Sequence, residues 1–512
     1  MSSRQIQAVF DDYQKARSEF VQTVAELSSR PQNAAILRES DVLQHLRPLL
    51  LDRVVGIQQS AALAIGRLAN SSSDLAEAIV QGDILPHVIY SMQNQNKFYK
   101  KSAALILRAV AKHSPELAQA VVDVGGLEGL QACLETFDPA VKESALWTLG
   151  VIAKQNDDLA MAVVDSGAVP TIVLCVNEAD MPVRRTAVSA LSEICKHTAS
   201  LTQMVAASGA IQNLCKALHS TDGRLKRITL GALSQIAKHN VDLAELVVEG
   251  DAFPGVLKDL RHPDDNVQRN VVILIREVVK HSFDLAQLVV NTGALGGLVD
   301  YMGRSGKEAQ LPAIQAIGYI SSMSEELASA VIKSKAPLQL QMTLMQVESH
   351  PEVAGSTAWA LGQIGRHSTD HTNSVAGGDN LTHLVNLAVN DASPPDVKSK
   401  AESALKQILS KCTELQALLA LLAKAPPHIL EHVVVQFSKV LPKNPSARKM
   451  FISTGGLRKV NSIVCTPGSI TETAVHQIKA CYPPDIVQFY SPSYADSILE
   501  RVEHFQPERA RS

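Results

Sequence analysis

The side chains in this sequence best placed to do chemistry are cations, and they recur. One row holds Lys100 and Lys101, Lys142, Arg184 and Arg185, Lys226 and Arg227, then Arg269. A second row holds Lys112, Lys154, Lys196, Lys238 and Lys280, with Arg366 further on. Lys101 and Lys112 lie eleven residues apart, about 20° of helical rotation, so on a helix they share a face. The same holds for Arg185 with Lys196, Arg227 with Lys238 and Arg269 with Lys280. Such a row suits an extended acidic partner held by many weak contacts. Glu143 interrupts it, at the position that Lys101 and Arg185 hold in other units. The second row has a local alternative: terminal lysines answer the helix macrodipole and acids such as Glu116 or Asp242. The first row is poorly explained that way, because cations are unfavourable at helix N-termini.

Other chemistry is sparse. His367 and His371 have metal-like spacing but straddle Ser368, which reads as a helix cap. Gly306-Lys307-Glu308 lacks the upstream glycine and the hydroxyl of a phosphate loop, and no GxGxxG follows a strand. The seven cysteines contain no CxxC pair and most lie among apolar residues, as buried thiols of a reducing compartment do. No catalysis, metal or cofactor is expected. A net charge of −3 gives no global pull toward nucleic acid or membrane, so neither is expected as a partner. MSSRQIQAVFDDYQ lacks the apolar core of a signal peptide, and no run reaches the 18 apolar residues of a membrane span.

The elements that carry these cations follow from a repeat. Leu75, Leu117, Leu159, Leu201, Leu243, Leu285 and Leu327 are evenly spaced, and Ser72, Ser114, Asn156, Thr198, Asn240, Ser282 and Ser324 precede them in register. The second set are helix N-cap residues. Gly125, Gly167, Gly209 and Gly293 end the first helix with the left-handed turn that glycine adopts cheaply. A short second helix follows. A further cap ladder, Asn96, Asp138, Asp180, Asp222 and Asp264, opens a third helix of about fifteen residues, whose stripe is Val141, Ala145, Leu149 and Ile152. Two boundaries per unit favour three helices over a two-helix repeat. One unit cannot bury its stripe alone, so copies must stack.

Taken in order, residues 1–30 hold an amphipathic helix (4–28) expected to cover the first repeat through Ile6, Val9, Phe10, Tyr13, Phe20, Val21, Val24 and Leu27. Repeats of about 42 residues fill 31–412. Within 283–324, Pro312 and the Gly303–Gly306 loop predict a kink or break. Divergent repeats occupy 413–480. An aromatic tail at 481–512 carries Tyr482, Phe489, Tyr490 and Tyr494, and reads either as a cap on the last repeat or as an assembly segment.

A short, a second and a longer third helix in about 42 residues resembles the armadillo repeat, which implies an all-α right-handed superhelical solenoid with third helices on its concave side. Import receptors of the importin-alpha type place Trp and, four residues on, Asn in most third helices. Here Trp147 and Trp359 are followed by Val151 and Gln363, and other units put Arg67, Ala109, Glu193, Gln235, Glu277 and Tyr319 at the Asn position. Nuclear-signal recognition is therefore not expected. Junctional flanking tails of the beta-catenin kind find no counterpart either.

From DYQKARSEFVQTVAELSSRPQN (12–33) through NKFYKKSAALILRAVAKHSPELAQAVVD (96–123) to CYPPDIVQFYSPSYADSILERV (481–502), the chain resembles the sperm-associated antigen six family of the ciliary central apparatus. The resemblance implies a non-enzymatic scaffold in the axoneme of cilia and flagella, a cytoskeletal part of the cytoplasm. Its implied partners are other central-apparatus proteins and the tubulin of a central-pair microtubule, with second copies of the chain as a further candidate. The competing expectation is a soluble adaptor that binds cargo peptides and has no axonemal role.

Overall fold

A computed structural model describes residues 3–346 and 350–504, and every regular element among them is helical. The two ladders of the sequence are the two ends of one hydrogen bond. Ser72 accepts from the backbone N–H of Leu75, Asn156 from Leu159 at 2.8 Å, and Ser114, Thr198, Asn240, Ser282 and Ser324 do the same for the leucine three residues on. Each cap satisfies an orphan donor of the first turn, and each leucine turns its side chain into the core. Third helices start in the same way: Asn96, Asp138, Asp180 and Asp222 accept from backbone N–H groups two or three residues on. Val141, Ala145, Leu149 and Ile152 are buried as one stripe.

Between first and second helix the backbone turns left-handed. Gly125, Gly167, Gly209 and Gly293 have φ between 78° and 83°. Asp41, Asp83, Lys335 and Asp379 take the same role with φ of 51°, 47°, 65° and 62°. Aspartate tolerates this region because its short side chain bonds locally. One unit solves the corner differently: Val248–Ala252, where Asp251 stands at the glycine position, forms a π-helical turn between Val241–Val247 and Phe253–Asp259.

Two expectations need correction. Pro312 is buried inside one continuous helix, Lys307–Met323, and no break occurs there. It is the sixth helical residue, so only one backbone bond is forfeited, near an end. The first helix, Ser3–Leu27, covers its neighbour only with its second half. Val21, Val24 and Ala25 are buried, whereas Ile6, Val9, Phe10 and Tyr13 are exposed.

The chain forms two compact units, one running to Val278 and one from Val279. In the second, Leu415–Lys424 and Pro427–Val440 make a shortened repeat, followed by Pro445–Ser453, Gly456–Asn461 and Ile470–Lys479. Residues 505–512 of the expected tail lie outside the described residues.

Two measurements test this account. At Gly167 an added Cβ has room, its nearest neighbour being Gln131 Nε2 at 3.9 Å, so Gly167→Ala exposes the conformational cost alone. It should lose about 1 kcal/mol in urea unfolding, whereas Asp83→Gly at the equivalent turn should lose nothing. Burial pushes the thiols of Cys133 and Cys412 up to about 11 and that of Cys195 up to about 12. A thiol raised in the folded state contributes stability that is full below the unfolded value of about 8.5 and lost as pH climbs toward the folded one. Native protein at pH 8 should therefore expose only Cys465 and Cys481 to a thiol reagent, with the five buried cysteines reacting after denaturation.

Candidate partner-binding face

The lysines and histidines that close the repeats reach back into the preceding unit. Lys112 Nζ donates to the Asn70 carbonyl (2.7 Å) and to its side-chain oxygen (2.6 Å). Lys196 donates to the Lys154 carbonyl (3.0 Å) and Lys238 to that of Lys196 (2.7 Å). In the second unit Arg366 and Lys411 do likewise to Ser322 and His367. Beside them, His113 Nε2 lies 2.8 Å from the Ala69 carbonyl, His197 Nε2 2.7 Å from that of Ala153, and His239 Nε2 2.6 Å from that of Cys195. A carbonyl only accepts, so these rings carry their proton on Nε2. The last carbonyls of a helix have no partner inside it, and each Lys-His pair supplies one from the next repeat.

At the helix starts the cations divide. Lys142 pairs with Glu178, and Lys226 holds both oxygens of Asp259 at 2.9 and 3.1 Å. Arg185 embraces Asp222, the cap of the next third helix, with its Nε 3.2 Å from Oδ1. Arg184 donates to the Val176 carbonyl at 3.0 Å. Lys101 and Arg269 are exposed and make no ion pair among the described residues. Arg227 is half-buried, and its charge helps to hold the Asp264 carboxyl below the usual range, behind the larger effect of the Asn266 N–H. Lys154 is exposed, and Lys280 lies one residue beyond the helix Asp265–Val279.

Lys101 borders a groove of about 510 Å³ across the third helices Val55–Ser71, Lys97–Ala111 and Pro139–Gln155. Phe98 and Trp147 stand in it at 60% and 52% exposure. The Arg108 guanidinium lies 4.0 Å from the centre of the Trp147 ring. Burial lowers the Arg108 pKa, partly offset by the charge of Glu143. Nothing in the sequence pattern announced this groove, since Arg108 falls outside both cationic rows.

The positions where import receptors carry asparagine are engaged inside the chain. Glu193 binds Lys196 at 2.7 Å and Gln235 accepts from Lys238 at 2.6 Å. Tyr319 meets Trp359 edge to face, 5.1 Å between centroids. Trp359 lies so close over Gly318 that a Cβ there would come within 2.2 Å of its ring. The His367 and His371 rings lie 5.9 Å apart between centroids, but their nitrogens are engaged separately: His367 Nε2 meets the Ser321 carbonyl, and the buried His371 bonds Ser368 and Ser329. Among the described residues no cluster of three His, Cys, Asp or Glu forms a metal site.

The aromatic tail is partly packed. Tyr482 is buried, its hydroxyl donates to the Arg448 carbonyl at 3.2 Å, and Asn461 bonds the Val487 carbonyl at 3.0 Å. Phe489 packs against Tyr490 and Tyr494, 5.0 Å between centroids in each case. Arg458 lies 6.0 Å from the Tyr490 ring centre. Ile498, Leu499 and Val502 are exposed on the helix Tyr494–Glu503.

The armadillo/beta-catenin-like repeat family matches residues 156–196, one full unit of this architecture. A stretch of 169 residues is 50% identical to sperm-associated antigen 6 of Homo sapiens and 51% identical to that of Mus musculus. The chain has an armadillo-repeat fold and is similar to sperm-associated antigen 6 over that stretch. The matched stretch spans 33% of this chain and 33% of each of these relatives. An engineered protein of known crystal structure has a similar fold, with a TM-score of 0.69 at 22% identity over 86% of this chain and 98% of that one. In this chain the cations of the third helices are divided between holding repeats together, as Lys142 and Arg185 do, and standing exposed, as Lys101 and Arg269 do.

The Arg185–Asp222 pair gives a graded test. Arg185, followed by the Leu225 N–H, holds the Asp222 carboxyl below its usual range. A depressed carboxyl contributes stability that is full above the unfolded value of about 3.9 and lost as pH falls through the folded one. Arg185→Ala should cost about 0.2–1 kcal/mol at pH 7, since the pair is only partly shielded from solvent, and this difference from the parent should vanish in acid. Urea unfolding of both proteins across the pH range 3 to 7 checks it.

Proposed function

We propose that this protein is a non-enzymatic scaffold of the axonemal central apparatus, supporting microtubule integrity and motility in cilia and flagella. The observation that carries the proposal is the 50% identity to sperm-associated antigen 6 over 169 residues, on a repeat architecture that presents side chains at regular intervals. The stack supports it physically. Within each unit, repeats joined by nearest-neighbour bonds present side chains at regular intervals, and exposed cations among them suit acidic partners, of which the acidic C-terminal tails of tubulin are one class. The proposed partners are other central-apparatus proteins and tubulin, and the proposed location is the cytoskeleton of the axoneme.

The cationic row of Lys101, Lys142, Arg185, Arg227 and Arg269 is proposed to contribute unequally. Lys142 and Arg185 are already paired, so Lys101, Arg227 and Arg269 carry the outward share. The tail's outward share rests on Phe489 and on Ile498, Leu499 and Val502, which are exposed, whereas Tyr482 serves packing.

In ciliated cells the tagged chain should remain with detergent-extracted axonemes, whereas a soluble cargo adaptor would wash out. Reversing Lys101, Arg227 and Arg269 to glutamate should reduce that retention severalfold, and retention of the parent should fall as salt rises. Retention that is unchanged by the reversal, with helicity intact, would leave these cations as a solvated face.

A further inference from the structure

We infer that Ser491 is a phosphorylation site, and that its phosphate ties the tail to an unneutralised basic surface of the last repeat. The inference goes beyond the scaffold reading and does not rest on it.

The surface is an excess of charge without counter-charge. From Lys439 to Lys479 the chain holds seven lysines and arginines against one carboxylate, Glu472, although the whole protein is net negative. Glu472 accepts from the Gly468 N–H at 2.7 Å. None of the seven cations forms an ion pair among the described residues. Their placement also departs from the other units. First helices elsewhere carry an acid in their first turn, as with Asp74, Glu116 and Glu325. Pro445–Ser453 carries none there and has Arg448 and Lys449 close by. Cations near the positive end of a helix are unfavourable until an anion joins them.

The tail brings a serine to this surface. Lys479 and Asn461 line a cavity of about 600 Å³ together with Gln488, Ser491 and Ser493. No carboxylate lines it among the described residues. Ser491 is half-buried at the turn between Pro484–Phe489 and Tyr494–Glu503, and Pro492 and Ser493 are exposed. The Ser491 hydroxyl meets the Ser493 hydroxyl at 3.1 Å rather than a backbone group. It is therefore free to be modified without loss of a cap.

The dipeptide Ser491-Pro492 fits kinases that require proline after the target residue. Three other Ser/Thr-Pro pairs occur, and each is unsuited. Ser114 is spent on capping the Leu117 N–H. Ser393 lies between Asp391 and Asp396 in the sequence, where a phosphate would be repelled. Thr466 opens the turn whose Gly468 N–H is held by Glu472, so its phosphate would meet that carboxylate.

In the transfer, Ser491 Oγ bonds to the γ-phosphorus of ATP while the bond to the bridging oxygen breaks and ADP leaves. The hydroxyl proton passes to the kinase's catalytic aspartate, and nothing is oxidised or reduced. The product carries about −1.5 to −2 charges and three acceptor oxygens. Lys479 across the cavity is a direct partner, and a charge-assisted contact is about twice as strong as the neutral bonds that now hold the tail. The phosphate also stands just before the helix Tyr494–Glu503, whose N-terminal end favours an anion.

Two arms test this on the full-length chain. A purified proline-directed kinase of the mitogen-activated class with MgATP should place phosphate mainly on Ser491, read by peptide mass mapping, and Ser491→Ala should abolish that mark. Protein made with phosphoserine at 491 should show hydrogen exchange over residues 484–503 slowed about tenfold at low salt, and less as salt rises. Lys479→Gln, which keeps most of the stem and removes the charge, should remove most of that slowing. Lys443→Gln, on the same basic surface but outside the cavity, should leave it within about twofold. Circular dichroism melts of both variants should match the parent. Phosphate found on Thr466 or Ser393 but not on Ser491 would overturn the site. Exchange unchanged or faster with phosphoserine, or slowing that survives Lys479→Gln, would overturn the capture.

Discussion

The terminal carbonyls of the third helices set the constraint that the rest of this architecture answers. Each such helix ends in carbonyls that have no partner inside the helix itself. The Lys-His pair supplies partners for them: a charged donor for one oxygen and a ring N–H for another, as with Lys112 and His113 on Asn70 and Ala69. Cation placement also favours the negative end of the helix. Where the pair is absent other donors serve, as Gln155 does for the Ala111 carbonyl at 2.7 Å. Spacing between repeats, and with it the spacing of every outward side chain, is fixed by these bonds.

That fixity explains how one face both builds and binds. A helix-start cation that meets an acid from the next repeat is a brace, and one that meets none is available to a partner. Arg185 and Lys101 occupy the same place in their units, yet Asp222 claims the first and, among the described residues, no carboxylate pairs with the second. Identical position in the repeat therefore does not imply identical role. The groove at Trp147 follows the same logic, since Arg108 is an insertion of charge where Gly66 and Gly150 stand in the neighbouring units.

Much of the fold was legible because its determinants are local and periodic. Ser114 caps Leu117 within one turn, and Gly125 turns the chain at its own α-carbon, so types and spacing suffice. The bonds of Lys196 and His197 were not legible, because their partners are backbone carbonyls some 42 to 44 residues back, which carry no mark in the sequence. The second row of cations was thus seen but its destination was not. Asp41, Asp83 and Asp379 in left-handed turns were readable only with hindsight of the glycine positions they share. For the first helix, periodicity identified the apolar stripe of Ile6, Val9, Phe10 and Tyr13 but not that packing stops short of it, because periodicity reports a face and not what lies opposite. Candidate site residues were the least legible, since pairing of Lys142 or Arg185 depends on which residue the adjoining loop presents.

The backward reach of the Lys-His bonds gives the stack a direction in time. A ribosome releases the N-terminal repeat first, and its third helix then ends in carbonyls that only the following repeat can cap. Each unit is completed by its successor, so the growing end of the nascent chain is always the frayed one. The chain closes this series with a different group: Gln436 donates to the Cys412 carbonyl at 2.7 Å, in a shortened repeat that has no Lys-His pair of its own.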